Sequence, residues 1–235
     1  MKKVLKKLIK PAVILLLLLL VGSQLILPRI FSSRLETSLS QELDDYEQLD
    51  VTINSFPAIK LLAGRVDQLE IEANNLVSDR LTLEQFEASY SNLRLVKDEE
   101  EEWQVSQGEN TDLEIELTDQ DLNHYLATRP ELDILDTFRI DLTSNQMVMV
   151  GNLRFFNTDL SLQLTGKFSV YDHQTLIFNS DKLAVDQVVI STDVIEQLKD
   201  KLSFKISLAD FPLPLEITEV NIEEGSLQLL GGTRE

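Results

Sequence analysis

The segment Pro11–Leu27, PAVILLLLLLVGSQLIL, constrains this chain more than any other, because it places seventeen uncharged and mostly apolar residues in one run. At about 1.5 Å per residue a helix of that length reaches roughly 25 Å, close to the hydrocarbon thickness of about 30 Å. Lys2, Lys3, Lys6, Lys7 and Lys10 precede the run, and only Arg29 and Arg34 follow closely. That asymmetry keeps the N-terminus in the cytoplasm and sends the rest of the chain across. The expectation is a basic stub and single-pass anchor over residues 1–27, with one extracytoplasmic domain over residues 28–235. A cleaved secretory signal shares this layout, and Val21, Gly22 and Ser23 offer a tolerable cleavage site. Apolar character resumes at Leu25, Ile26 and Leu27, however, and there is no Ala-x-Ala pattern. A retained anchor is therefore the preferred reading, and both readings put the body outside the cytoplasm.

The body is strongly acidic. Removing the five N-terminal lysines leaves 16 Lys and Arg against 40 Asp and Glu, a formal charge of -24 after Leu27. Phosphate binding needs the opposite sign, so nucleic acid is not an expected partner. Broad adsorption to anionic lipid is disfavoured on the same ground. With no cysteine in the chain, disulfides, thiol catalysis and lipoprotein processing all drop out, and stability must come from a packed core. No Gly/Ser-rich or Pro-rich linker divides the body, which points to a single domain.

Pro28 to Leu43 continues as a helix with Phe31, Leu35, Leu39 and Leu43 on one stripe. After Asp50 the period changes to two. Val51 and Ile53 alternate with polar residues, as do Leu69, Ile71 and Ala73, then Leu113, Ile115 and Leu117, then Phe138, Ile140 and Leu142. The longest example is Leu160, Leu162, Leu164, Gly166, Phe168 and Val170. Strands with one dry and one wet face belong to antiparallel sheets. Ser144-Asn145, Asp172-His173-Gln174 and Glu224-Gly225 supply turns between consecutive strands, and Lys97 to Glu102, KDEEEE, reads as a solvated hairpin tip. Two short helices interrupt the pattern. One runs from Asp119 to Ala127, capped by Thr118 and stopped by Pro130; the other is capped near Ser191 or Thr192 and buries Ile195, Leu198 and Leu202. The fold class expected is α+β: an N-terminal transmembrane helix, then a curved antiparallel sheet wrapped on a few helices.

The chemistry available is narrow. His124 and His173 have no partner His at metal spacing, and Asp121 with His124 reads as surface or capping residues rather than a metal site. No Gly-x-Ser-x-Gly elbow, phosphate loop or Gly-x-Gly-x-x-Gly is present. No catalytic residue, metal or cofactor is expected, and the protein is not expected to be an enzyme. What the chain offers instead is apolar surface. A sheet of six or more strands with one dry face outruns the cover that a few short helices supply, and the remainder is a groove. Ser55 to Gly64, SFPAIKLLAG, is densely apolar where a loop is normally polar, and Phe155 and Phe156 point to opposite faces of one strand. The groove candidates are Phe56, Ile59, Leu61, Leu62, Phe155, Phe156, Leu160, Leu162, Leu164 and Phe168. Ordinary core packing is the plain alternative for each of them.

Three stretches taken in order resemble one bacterial family. They are Phe56–Leu76, FPAIKLLAGRVDQLEIEANNL; Leu117–Leu126, LTDQDLNHYL; and Leu213–Gly231, LPLEITEVNIEEGSLQLLG. Their order, behind a membrane segment, is similar to that of the LmeA-like phospholipid-binding proteins. The resemblance implies a curved sheet wrapped on a long helix, similar to tubular lipid-binding domains, in a non-catalytic protein of the bacterial cell envelope with membrane phospholipid as its partner. It assigns no head-group residue here, and the acidic body departs from an expectation of basic head-group contacts. The alternative from another class is a structural or protein-interaction module with a fully packed core.

Overall fold

The structure is a computed structural model that describes residues 2–97, 103–129, 135, 137–155, 158–186, 188–189, 203–213 and 215–232. Side chains are described for all of these except 2–19, 97, 103–104, 106–111, 153–155, 158–159 and 188–189.

Helix α1 runs without interruption from Lys2 to Glu42. The expected passage from anchor into an amphipathic helix is therefore one rod at the level of the backbone. Among the described residues no helix is long and apolar enough to cross a membrane; the side chains of residues 2–19, which hold half of the Pro11–Leu27 run, lie outside them. Past the run, Phe31, Leu35, Leu39 and Leu43 are all buried, as their spacing of four predicts.

That seam lies on the first of two six-stranded sheets, ordered β1-β2-β3-β4-β12-β11. The strands are β1 (Gln48–Asn54), β2 (Arg65–Ser78), β3 (Leu81–Lys97), β4 (Trp103–Thr118), β11 (Ile217–Ile222) and β12 (Ser226–Gly231). It is antiparallel throughout and curls into a half-barrel. The inward set of β2 is Leu69, Ile71 and Ala73, then Leu76, with the change of parity at Asn75, whose φ is +49°. Opposite it β3 makes the same change between Leu83 and Phe86, so the register survives. Such irregularities bend and twist a long ribbon, which lets it close around a helix. The strands joined by Lys97–Glu102 are consecutive and antiparallel, as a hairpin there requires; residues 98–102 themselves lie outside the described residues.

The second sheet was not anticipated as a separate layer. Its order is β10-β8-β7-β6-β5, with β9 paired to β8. Its strands are β5 (Thr137–Thr143), β6 (Gln146–Phe155), β7 (Thr158–Val170), β8 (Thr175–Val185), β9 (Val188–Val189) and β10 (Lys205–Ser207). Alternating strands carry no mark of which sheet they join, so a single curved sheet and two layers read alike in the sequence. The anticipated turns do occur: Asn145, His173 and Gly225 all have positive φ at hairpin ends. Those turns also fasten the two sheets together. Asn145 N–H donates to Ile222 O (3.0 Å), Gly225 N–H to Leu142 O (3.0 Å) and Ile217 N–H to His173 O (2.8 Å).

Helix α2 (Asp119–Leu126) forms where the sequence places it. Thr118 Oγ1 accepts from Asp121 N–H, and the Asp121 carboxylate accepts from Thr118 N–H, a reciprocal cap. Its Leu122, Tyr125 and Leu126 are buried. Asn123 presses the helix to the outer edge of β5, donating to Ile140 O (2.7 Å) while accepting from Ile140 N–H (2.8 Å). An edge strand thus gains the pairing that a further strand would supply. The helix expected near Ser191–Leu202 lies outside the described residues.

Two substitutions test this packing. Leu35→Ala, at a site 1% exposed, is expected to cost about 2–5 kcal/mol in urea unfolding, with Arg34→Ala within about 0.5 kcal/mol of the parent. A Cβ on Gly166 runs into Asn179 O and meets the Phe178 ring at 2.7 Å, so Gly166→Ala is expected to cost about 3 kcal/mol, the upper end for overpacking.

Candidate functional site

The apolar stretch after β1 folds into a tight turn against α1. A 3-10 helix, Ala58–Ala63, is closed by Gly64 in the left-handed region (φ 67°), whose N–H donates to Leu61 O at 2.9 Å. The spacing within such a helix sorts its side chains. Ala58 and Leu61 point inward and are fully buried, whereas Phe56, Ile59 and Leu62 are 77%, 47% and 61% exposed. Leu61 is therefore ordinary core. Phe56, Ile59 and Leu62 stand in the open and do not line a groove.

Two polar side chains hold this turn in place. Gln24 of α1 donates from Nε2 to Ser55 O (2.7 Å) and accepts at Oε1 from Ala58 N–H (2.8 Å). Asp67 accepts from Phe56 N–H (2.8 Å) and from Lys60 Nζ (3.0 Å). The Phe56 amide, then the Lys60 ammonium, holds the Asp67 carboxyl below its ordinary value of 3.8. Near Gln24 on α1, Val21, Leu25 and Ile26 are 62%, 70% and 59% exposed.

The β7 candidates lie elsewhere, on the inner face of the second sheet. Leu164 and Phe168 are buried, and Phe168 stands edge-on to Phe178 and Phe204, with centroids 5.7 and 6.0 Å away. Cross-strand registry shows how burial changes along this face. The row Ile140, Met149, Leu164 and Leu183 is at most 4% exposed. One step along, the row Phe138, Gly151, Leu162 and Val185 is only half-buried except for its glycine, and Leu160 beyond it is half-buried too. Leu135 leans over Gly151, where a Cβ would stand 3.3 Å from its Cδ1. The side chain of Phe155, and Phe156 altogether, lie outside the described residues.

A small depression between Leu81, Leu83, Leu208 and Phe211 has a volume of about 10 Å³, room for about one water. An open depression of about 650 Å³ is walled by Glu42, Asp44, Asp45, Asp79, His124 and Asp210, and another of about 540 Å³ runs along α1 and β1 past Arg29, Glu36 and Asn54. Among the described residues no group of three His, Cys, Asp or Glu stands ready for a metal ion. Asp121 is spent on the cap of α2, and His173 Nδ1 lies 3.3 Å from Ile217 O at the junction of the sheets.

Gln24 and Asp67 escaped the sequence reading. Gln24 is a polar residue inside an apolar run, which is the signal that was available; Asp67 had none, being one carboxylate among many. Asp67 binds its proton less tightly folded than unfolded, so the support it gives is present above 3.8 and is lost as the pH falls through the lower value of the folded state. Asp67→Ala is expected to lower the hydrogen-exchange protection of the Phe56 amide at pH 7, and the gap between variant and parent is expected to close as the pH falls below 3.8. Equal protection at pH 7 would show that the carboxylate does not hold the turn.

Comparison with curated proteins and with solved structures gave no match. A family match covers almost the whole of the chain described here, from the exposed end of the apolar run to the last strand. Over residues 22–232 the chain belongs to the LmeA-like phospholipid-binding family.

Proposed function

We propose that this protein is a membrane-anchored, extracytoplasmic and non-catalytic phospholipid binder of the bacterial cell envelope, which takes acyl chains onto the inner face of its second sheet. The observation that carries the location is the row Phe138, Leu162 and Val185, where the inner face, still packed against the core, is only half-buried without becoming polar. A sheet face that ends in ordinary solvent normally changes to polar residues. An acyl chain laid on this row gains about 0.8 kcal/mol per buried methylene, or about 8 kcal/mol for ten carbons before ordering costs. The grip is apolar, which suits a body of charge -24. The run Pro11–Leu27 with its lysine flank supports the anchor, and α1 carries it unbroken to the domain. A role in envelope lipid metabolism or transfer follows from such a position.

A second reading, a fully packed structural or interaction module, is favoured by the apolar cavity of only about 10 Å³. The two separate on one measurement. Native mass spectrometry of the full chain released from nanodiscs is expected to show retained phospholipid, reduced at least tenfold in Leu162→Asp and unchanged in Val150→Asp, whose side chain is already 41% exposed. A tenfold loss corresponds to about 1.4 kcal/mol, less than two methylenes contribute. Absence of retained lipid in the parent protein would establish the packed module instead.

A further inference from the structure

The exposed turn Phe56–Leu62 has no role in that reading, since it stands on the other sheet. Soluble surfaces scatter single apolar residues, but Phe56, Ile59 and Leu62 are three large exposed ones within a single turn, and Leu25, next to the Gln24 that bonds this turn, is exposed as well. Its position along α1 is fixed by Gln24, which bonds Ser55 O and Ala58 N–H directly. Gln24 lies three residues before the end of the apolar run, about 4.5 Å along the helix axis. Any bilayer that holds Pro11–Leu27 therefore has its surface at the level of this turn.

Acidic residues are sparse on the turn itself. No acidic residue occurs between Asp50 and Asp67, although the body carries 40. Lys60 is on the turn and paired with Asp67 at 3.0 Å, Arg65 follows it, and Arg94 stands opposite Arg65 in the sheet, where Leu95 N–H donates to Gly64 O at 2.8 Å; in the sequence the acidic run Asp98–Glu102 comes four residues after Arg94. Two arginines beside an apolar tip suit the head-group layer over the acyl region of a phospholipid leaflet. Two anchors, Gln24 on one side and Asp67 on the other, hold the tip rigid rather than leaving it to fold back on the domain.

We propose that Phe56, Ile59 and Leu62 form a wedge that enters the outer leaflet beside α1 and sets the orientation of the domain on the bilayer. The wedge rests on the reading of Pro11–Leu27 as the membrane anchor. With two attachment points the body cannot swivel about α1, and the same face of the domain always meets the lipid.

The chain has no cysteine, so single labels are clean. The full-length protein is reconstituted in nanodiscs of phosphatidylcholine and phosphatidylglycerol, with an environment-sensitive fluorophore on Ile59→Cys, Leu16→Cys or Glu72→Cys in turn. Glu72 is exposed on β2, about 23 Å along the strand from Arg65. The expected result is blue-shifted emission and quenching by shallow spin-labelled lipid at position 59, quenching by deep spin-labelled lipid at 16, and neither at 72. Quenching at 16 with water-like emission at 59 overturns the wedge, leaves the anchor standing and turns the patch over to a protein partner. No quenching at either position overturns both. The triple variant Phe56→Ser, Ile59→Ser, Leu62→Ser changes exposed positions only. Labelled at Lys60→Cys, it is expected to lose the blue shift that Lys60→Cys alone displays; an unchanged shift overturns the wedge.

Discussion

The burial of one helical stripe against a curled sheet governs the rest of this structure. Phe31, Leu35, Leu39 and Leu43 on α1 cover apolar residues that Leu49, Val51, Ile53, Leu69 and Ile71 present from the first sheet. Neither partner is stable alone, because the helix would expose its seam and the sheet its inner face. The rod that fills the half-barrel is the same one that carries the apolar N-terminal run, so the core seam and that run belong to one element.

Polar side chains finish what the apolar contacts begin. Ser32 on α1 accepts from Ile53 N–H at the free edge of β1 (2.9 Å), and Asn123 on α2 pairs with both backbone groups of Ile140 at the free edge of β5. Gln24 does the same for the turn after β1. In each case a side chain on a helix meets main-chain groups that an edge would otherwise leave for another chain. The first and second sheets are joined similarly, through turn residues that donate to or accept from β11 and its hairpin.

The apolar surface is consequently divided into three settings with different consequences. Most is packed, including Leu61, Leu164 and Phe168. A smaller part, at the Leu160–Leu162 end of the second sheet, is half-covered. The remainder, at Phe56, Ile59 and Leu62, faces outward beside α1.

Period and punctuation in the sequence determined the elements: the spacing of four from Phe31 to Leu43, the alternation in β1, β2, β4, β5 and β7, the Thr118 cap and the turns at Asn145, His173 and Gly225. These are local, since a residue's neighbours at two, three or four positions decide which face it shares. The candidate list was legible only as apolar composition. Whether Leu61 or Leu62 of one pair is buried, whether Leu162 shares a row with Phe138 and Val185, and that the strands sort into two sheets were decided by tertiary structure. The reason is that alternation specifies that a face is dry without specifying what dries it. A strand pairs through backbone groups common to every residue, and a 3-10 turn exposes or buries its side chains according to where its anchors hold it. Gln24 and Asp67 supply those anchors from 31 and 11 residues away, separations that no local pattern reads.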